Sequence, residues 1–253
     1  MELVGAGRMG EVYAYGEGLV VKLDRPEWSG VAEFEAEVLT MLAAAGLPVP
    51  RCQGAVTVEG RTGVVMERID GGSLLDRVMQ SPPEARPALA ALFVDLQAIL
   101  TGTAVAGLPP LVERLANELQ LAPLSESLRS ELAALLPELD DGRRGVCHFD
   151  FHPLNILVGA GSWKVIDWLG VGSGPPIADV MRTLLIWGRQ TTPPIPDFMA
   201  QVRSQSIERH GIDADTHDAW LRVLAGCRLA EGFEGEVRDW LLAVAAGQVT
   251  PYG

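Results

Sequence analysis

The chain is poor in cysteine, lysine and asparagine, and it has no long apolar run. Its three cysteines, Cys52, Cys147 and Cys227, stand alone without CxxC spacing. That excludes a disulfide framework and a structural zinc site of the usual spacing. No apolar stretch approaches the ~18 residues that cross a bilayer. The opening segment MELVGAGRMG lacks the basic start and apolar core of a signal peptide. These absences predict a cytoplasmic protein with no membrane partner. Basic residues are scarce too, 20 against 33 acidic, for a formal net charge of −13. Without a basic stripe to follow a phosphate backbone, no nucleic-acid partner is expected.

Of the 253 residues, 48% are hydrophobic and 21% charged, as in a globular protein with one large domain or two lobes. Lysine occurs only at Lys22 and Lys164, and asparagine only at Asn117 and Asn155. Lys22 and Asn155 both fall inside motifs, so their rarity draws attention to them.

The front of the chain reads as strands, at 3–4, 11–15 and 19–23, with Gly16, Glu17 and Gly18 as a hairpin turn. A helix is expected over 29–45, capped by Ser29, with Phe34, Val38, Met41, Leu42 and Ala45 at helical spacing. Gly46 and Pro48 end it. Further strands are expected over 52–58 and 62–67. The turn signal Asp70-Gly71-Gly72-Ser73 divides a strand-rich lobe, 1–70, from a helical lobe, 71–253. Helices are expected over 83–100, 111–121, 126–136, 177–188, 197–210, 216–231 and 237–246, with a strand–loop–strand unit over 145–167. The fold class is α+β in two lobes.

Four motifs carry chemistry. Gly5-Ala6-Gly7-Arg8-Met9-Gly10 fits both a dinucleotide turn and a kinase phosphate loop. A dinucleotide turn feeds a helix. Here the glycines run into the alternating Glu11-Val12-Tyr13-Ala14-Tyr15, the strand–loop–strand order in which backbone N–H groups cover phosphates. Lys22 lies within the apolar run Val20-Val21-Lys22-Leu23 and needs a carboxylate from the next helix. Glu33, Glu35 and Glu37 are the candidates, and spacing alone does not choose among them.

The most specific motif is His148-Phe149-Asp150-Phe151-His152-Pro153-Leu154-Asn155, followed by two apolar strands, the second ending at Ile166-Asp167. Phosphoryl transfer needs one carboxylate, Asp150, to take the proton of an attacking hydroxyl. It also needs an amide oxygen, Asn155, and a second carboxylate, Asp167, to hold magnesium against the phosphates. A metal hydrolase built on His148, Asp150 and His152 lacks a second ligand motif, since only His210 and His217 remain. Val64 to Gly72, joining the lobes, offers an apolar slot with backbone hydrogen bonds suited to adenine.

With these residues in place, the chain over 5–182 resembles the aminoglycoside phosphotransferase and choline-kinase-like family, which has a protein-kinase-like fold. HFDFHPLN is similar to that family's HGDxHxxN loop, and Val165-Ile166-Asp167-Trp168 to its IDW segment. The resemblance implies a cytoplasmic ATP- and Mg2+-dependent phosphotransferase that modifies a hydroxyl of an aminoglycoside, another antibiotic or a metabolite. It implies Asp150 as catalytic base, Asn155 and Asp167 as magnesium ligands, and Lys22 paired with Glu35. Gly5, Gly7 and Gly10 would cover the phosphates. Adenine would bond the backbone of Glu67 and Ile69, with Met66 behind it. His148 and Asp179 would support the catalytic loop.

The alternatives are a protein serine/threonine kinase and a nucleotide-binding module that has lost catalysis. His152 where protein kinases prefer lysine, Trp168 where they carry phenylalanine, and the lack of an Ala-Pro-Glu segment count against the first. The full set of catalytic residue types counts against the second. Two features depart from the resemblance. Phe149 stands where the family has glycine, and the first strand is short, from a reduced sheet edge or a start further upstream.

Overall fold

The computed structural model describes residues 1–7, 9–159 and 161–252. Arg8 of the glycine loop, Ala160 of the turn expected at 159–161, and Gly253 lie outside the described residues. In chain order the elements begin β1 (Leu3–Ala6), β2 (Gly10–Ala14), β3 (Leu19–Asp24), α1 (Val31–Ala44), β4 (Cys52–Val58) and β5 (Arg61–Glu67). There follow α2 (Leu74–Gln80), α3 (Arg86–Thr101), α4 (Leu111–Leu121), α5 (Glu126–Leu139), β6 (Gly145–Cys147), β7 (Ile156–Val158) and β8 (Trp163–Val165). The chain closes with β9 (Gly172–Gly174), α6 (Pro176–Trp187), α7 (Ile195–His210), α8 (Ala214–Arg228) and α9 (Gly235–Ala245). Among the described residues no helix is long and apolar enough to cross a membrane.

The chain forms two compact units, Met1–Asp76 with Pro153–Gly170, and Arg77–His152 with Val171–Gly253. The sequence division at residue 70 keeps 153–170 with the helices, whereas here that segment packs with the strand-rich unit.

In the first unit the strands make one antiparallel sheet in the order β1-β2-β3-β5-β4. Its central strand, β3, alternates: Val21 and Leu23 pack with Val65 on one face, beneath Tyr13, Tyr15, Val56 and Val58. Val20 and Lys22 share the other face with Met66 and Val64, their cross-strand partners. Gly63 sits opposite Leu23, where an added Cβ would lie 2.8 Å from the Lys22 carbonyl oxygen.

Helix α1 packs on β4 and β5 through Val38, Leu39 and Leu42, all buried. Its start corrects the expectation of a Ser29 cap. The first turn begins after Gly30 (φ 94°), and Asp24 at the end of β3 supplies the capping carboxylate. Asp24 Oδ2 accepts the N–H groups of Gly30, Val31 and Ala32 at 3.0, 3.1 and 3.1 Å, and the Thr62 hydroxyl at 2.8 Å. A charged acceptor on the orphan N–H groups fixes the helix against the strand that carries Lys22.

The second unit is mainly helical. Buried Trp220, Phe93, Phe151 and Phe198 are among its largest core side chains. Strand β6 pairs with β9, bringing Gly145 opposite Gly174. Both glycines are tight, since an added Cβ at Gly174 would meet Leu111 Cβ at 2.8 Å.

Candidate active site

In the first unit Lys22 is the organising residue. Its ammonium lies 2.9 Å from Glu35 Oε2 and 2.9 Å from Asp167 Oδ1. Of the three glutamates that spacing left open, the structure brings Glu35 to Lys22, with its side chain only 4% exposed. Burial pushes the Glu35 carboxyl up, as does the Asp167 charge, while Lys22 opposes both. Burial alone would lower Lys22, but the two carboxylates raise it above its ordinary value. Gly10 lies against the lysine stem, where an added Cβ would meet Lys22 Cγ at 3.3 Å and the Leu23 carbonyl oxygen at 3.0 Å. Gly7 donates its N–H to the Gly10 carbonyl at 2.8 Å, closing the turn, and Gly5 pairs across from Val12 in β1.

The β7–β8 hairpin brings Asn155 and Asp167 together along the chain. Ile156 pairs with Val165, and the Asn155 carbonyl accepts the Ile166 N–H at 2.9 Å. Asp167 then takes φ 65°, a left-handed conformation costly for a residue with a Cβ. Asn155 is buried, and Trp168 anchors the segment by donating its indole N–H to the Val165 carbonyl at 2.9 Å.

At the end of β5, Met66 is buried. The Arg51 N–H goes to the Glu67 carboxylate at 3.2 Å, not to the Glu67 carbonyl, while the Glu67 N–H donates to the Arg51 carbonyl at 2.9 Å. Ile69 is half-buried just beyond.

The second unit carries the loop from His148 to His152. His148 is fully buried and accepts the Asp150 N–H on Nδ1 at 3.2 Å. Asp179, fully buried on α6, accepts the Phe149 N–H at 2.6 Å and the Gln97 amide at 2.8 Å. Burial raises the Asp179 pKa, and these donors work against the rise. One turn on, the Thr183 hydroxyl donates to the Phe151 carbonyl at 2.8 Å. Helix α6 thus grips the loop backbone at two points.

Asp150 is 48% exposed, with Oδ2 3.5 Å from His152 Nε2. Its partial burial works against the charge. The hydrogen bond and charge of His152, with His148 and Arg182, overcome that and hold the carboxyl below its ordinary value. The result is a carboxylate that is ionised and reachable, which is what a proton acceptor requires. His152 is set by Trp187, whose ring centroid lies 5.3 Å away.

Phe149 sits at a backbone position that favours glycine. Its φ is 66°, and it is nonetheless buried, with the Arg114 and Arg182 guanidiniums 4.8 and 4.9 Å from its ring centroid. Sequence reasoning missed both arginines, and Gln97. Arg182 follows Asp179 by one helical turn, the one signal available. Arg114 and Gln97 sit far away in sequence with no motif of their own.

A family model described as a phosphotransferase enzyme family, APH, matches residues 2–214. No curated protein matches the chain. Among solved structures, an aminoglycoside-3'-phosphotransferase of type VIII is similar at 23% identity and TM-score 0.64, covering 91% of this chain and 90% of that one. The streptomycin–ATP ternary complex of APH(2'')-IIa is similar at 15% identity and TM-score 0.64, covering 99% and 92%. An apo form of aminoglycoside phosphotransferase APH(4)-Ia is similar at 20% identity and TM-score 0.62, covering 97% and 90%. At these identities the likeness shows the fold, which is protein-kinase-like.

Proposed function

This chain belongs to the APH phosphotransferase enzyme family, and from that premise we propose that it transfers the γ-phosphate of ATP to a hydroxyl of a small molecule. The observation that carries the reading is Lys22, held at 2.9 Å by both Glu35 and Asp167. A lysine fixed between two carboxylates is a poor structural device, because burial costs the charges of Lys22 and Glu35, whose side chains are 15% and 4% exposed. It is a good one for meeting phosphate oxygens in a fixed position.

In this reading Gly5, Gly7 and Gly10 form the loop that covers the phosphates. Adenine takes the Glu67 carbonyl, which the Arg51 N–H leaves aside, and the Ile69 N–H, against Met66. Asp150 accepts the proton of the acceptor hydroxyl as its oxygen attacks. His148 and Asp179 hold the loop that carries it. Asp150 and Asn155 lie on one short segment, which passes from one unit to the other after His152.

The donor set suits magnesium. Asp167 and Asn155 offer hard oxygen ligands, and among the described residues no group of three or more His, Cys, Asp or Glu gathers into a metal cage. That is the pattern for an ion that takes most of its ligands from phosphates and water. Bound there, magnesium supplies neutralisation of the charge on the phosphates. The streptomycin–ATP complex of a similar fold supports ATP as donor and a hydroxylated antibiotic as one acceptor class; choline-like and sugar-like metabolites are further classes that the family resemblance implies.

ADP release measured with ATP and magnesium across aminoglycosides, other hydroxylated antibiotics, choline and sugars tests the reading. It expects release that depends on one acceptor class. ADP release indifferent to every acceptor counts against it.

A further inference from the structure

Three largely buried guanidiniums gather at the loop that carries Asp150, and among the described residues their ion pairs reach only Glu231 and Glu118. Arg182, 11% exposed, donates through Nε to the Phe149 carbonyl at 3.3 Å and through Nη2 to Glu231 at 2.7 Å. Arg228, 16% exposed, must share that same Glu231, at 3.4 Å. Arg114 has Glu118 at 3.7 Å and donates to the Val171 carbonyl at 3.2 Å. Three cations therefore face two dedicated carboxylates. The third carboxylate within electrostatic reach is Asp150, which feels Arg182 and supports the charge of Arg228.

Hydrogen bonding shows the same shortage. Arg114 Nε and Nη2 and Arg228 Nε are buried without a hydrogen-bond acceptor among the described residues, although both Nε atoms lie at ion-pair distance from a glutamate. Burial and the like charge of Arg182 push Arg228 down to about 10, and Arg114 also falls below its ordinary value. A buried cation short of partners is destabilising. A chain of net charge −13 has no general surplus of positive charge to place there.

We propose that Arg182 and Arg228, backed by Arg114 across the Phe149 ring, form the acceptor subsite next to Asp150 and take an oxyanion of the acceptor, a phosphate or carboxylate group. The guanidinium fork matches both anions. The acceptor is then an anionic hydroxy compound, and a polycationic aminoglycoside is disfavoured. The word acceptor rests on the phosphotransfer reading, but the anion subsite has its own binding test.

That test is thermal denaturation of the full chain, saturated with ADP and magnesium, titrated with inorganic phosphate, acetate or chloride at equal ionic strength. Phosphate, acetate or both are expected to raise Tm above the chloride control. A rise with phosphate alone assigns a phosphate-bearing acceptor, and an equal rise with acetate assigns a carboxylate. Arg182→Met and Arg228→Met are expected to abolish the rise. Glu231→Gln, which frees both guanidiniums, is expected to enlarge it, and this variant carries the test if the arginine variants do not fold. The proposal is overturned if neither oxyanion exceeds chloride, if the rise survives both arginine variants, or if Glu231→Gln leaves it unchanged or smaller. Failure of the phosphotransfer reading looks different: the arginine-dependent rise persists while no acceptor is phosphorylated.

Discussion

Lys22 Nζ and Asp167 Oδ1 lie 2.9 Å apart although 145 residues separate them in the chain. The contact joins the central strand of the sheet to the segment after the β8 strand, and it leaves Lys22 between two carboxylates. Removing the lysine should therefore do two separable things.

Lys22→Met strands the Glu35 carboxyl, which burial already raises. A carboxyl whose folded pKa is raised costs stability increasingly as pH climbs above its unfolded value of 4.5. The stability deficit of the variant should be small near that value and widen toward neutrality, reaching ~3 kcal/mol. Adding Glu35→Gln should recover much of the loss. A deficit that does not grow with pH contradicts this, as measured by melting curves from pH ~4.5 to ~8.

At Phe149 the backbone favours glycine while the side chain favours the aromatic ring. Phe149→Gly gains freedom at φ 66° but loses a buried ring between two guanidiniums. Relief of strain is worth ~1 kcal/mol, against ~3–5 for the ring. Both Phe149→Gly and Phe149→Ala should be destabilised, with alanine the worse because it keeps the strain. Denaturant midpoints for the pair decide it, and alanine equal to or better than glycine contradicts the account.

Asp179→Ala leaves the Phe149 N–H without its buried acceptor and the Gln97 amide with one acceptor fewer, keeping the Thr183 hydroxyl at 3.1 Å. The expected loss is ~2–4 kcal/mol in denaturant melts, since both donors stay buried. Asp179→Asn keeps one acceptor oxygen and should lose less. Turnover should fall in both variants, because the loop carrying Asp150 loses its brace.

Gly10→Ala places a methyl 3.0 Å from the Leu23 carbonyl oxygen and 3.3 Å from Lys22 Cγ. The neighbours must shift by tenths of an ångström, which displaces the lysine. ATP affinity measured by calorimetry should weaken by roughly tenfold, with Tm little changed. Unaltered affinity contradicts a role for this loop in holding the nucleotide.

Much of the site was legible because its signals are local. The front strands, Lys22, and the 148–155 motif follow from short-range alternation and spacing, and the hairpin after Asn155 follows from two apolar runs. What stayed hidden depends on contacts between distant segments. Asp24 rather than Ser29 caps α1, because the end of β3 folds back over the helix start. The β9 strand, Gly172-Ser173-Gly174, has no β-favouring residue and exists because β6 pairs with it. Helix α2 follows the turn that signalled the lobe boundary and is too short for periodicity to show. The arginines at 114, 182 and 228 lie on three helices, and no sequence window contains them together.

The central claim is that Asp150 takes the proton of a small-molecule hydroxyl as phosphate is transferred to it. Phosphorus NMR of ATP, magnesium and a panel of hydroxylated acceptors, run with wild-type protein and Asp150→Asn, tests it most directly. A new phosphomonoester signal is expected with the wild type, slowed by ~10²–10⁴-fold in the variant. Equal rates of phosphomonoester formation in the two proteins, or ATP lost to inorganic phosphate alone, would contradict it.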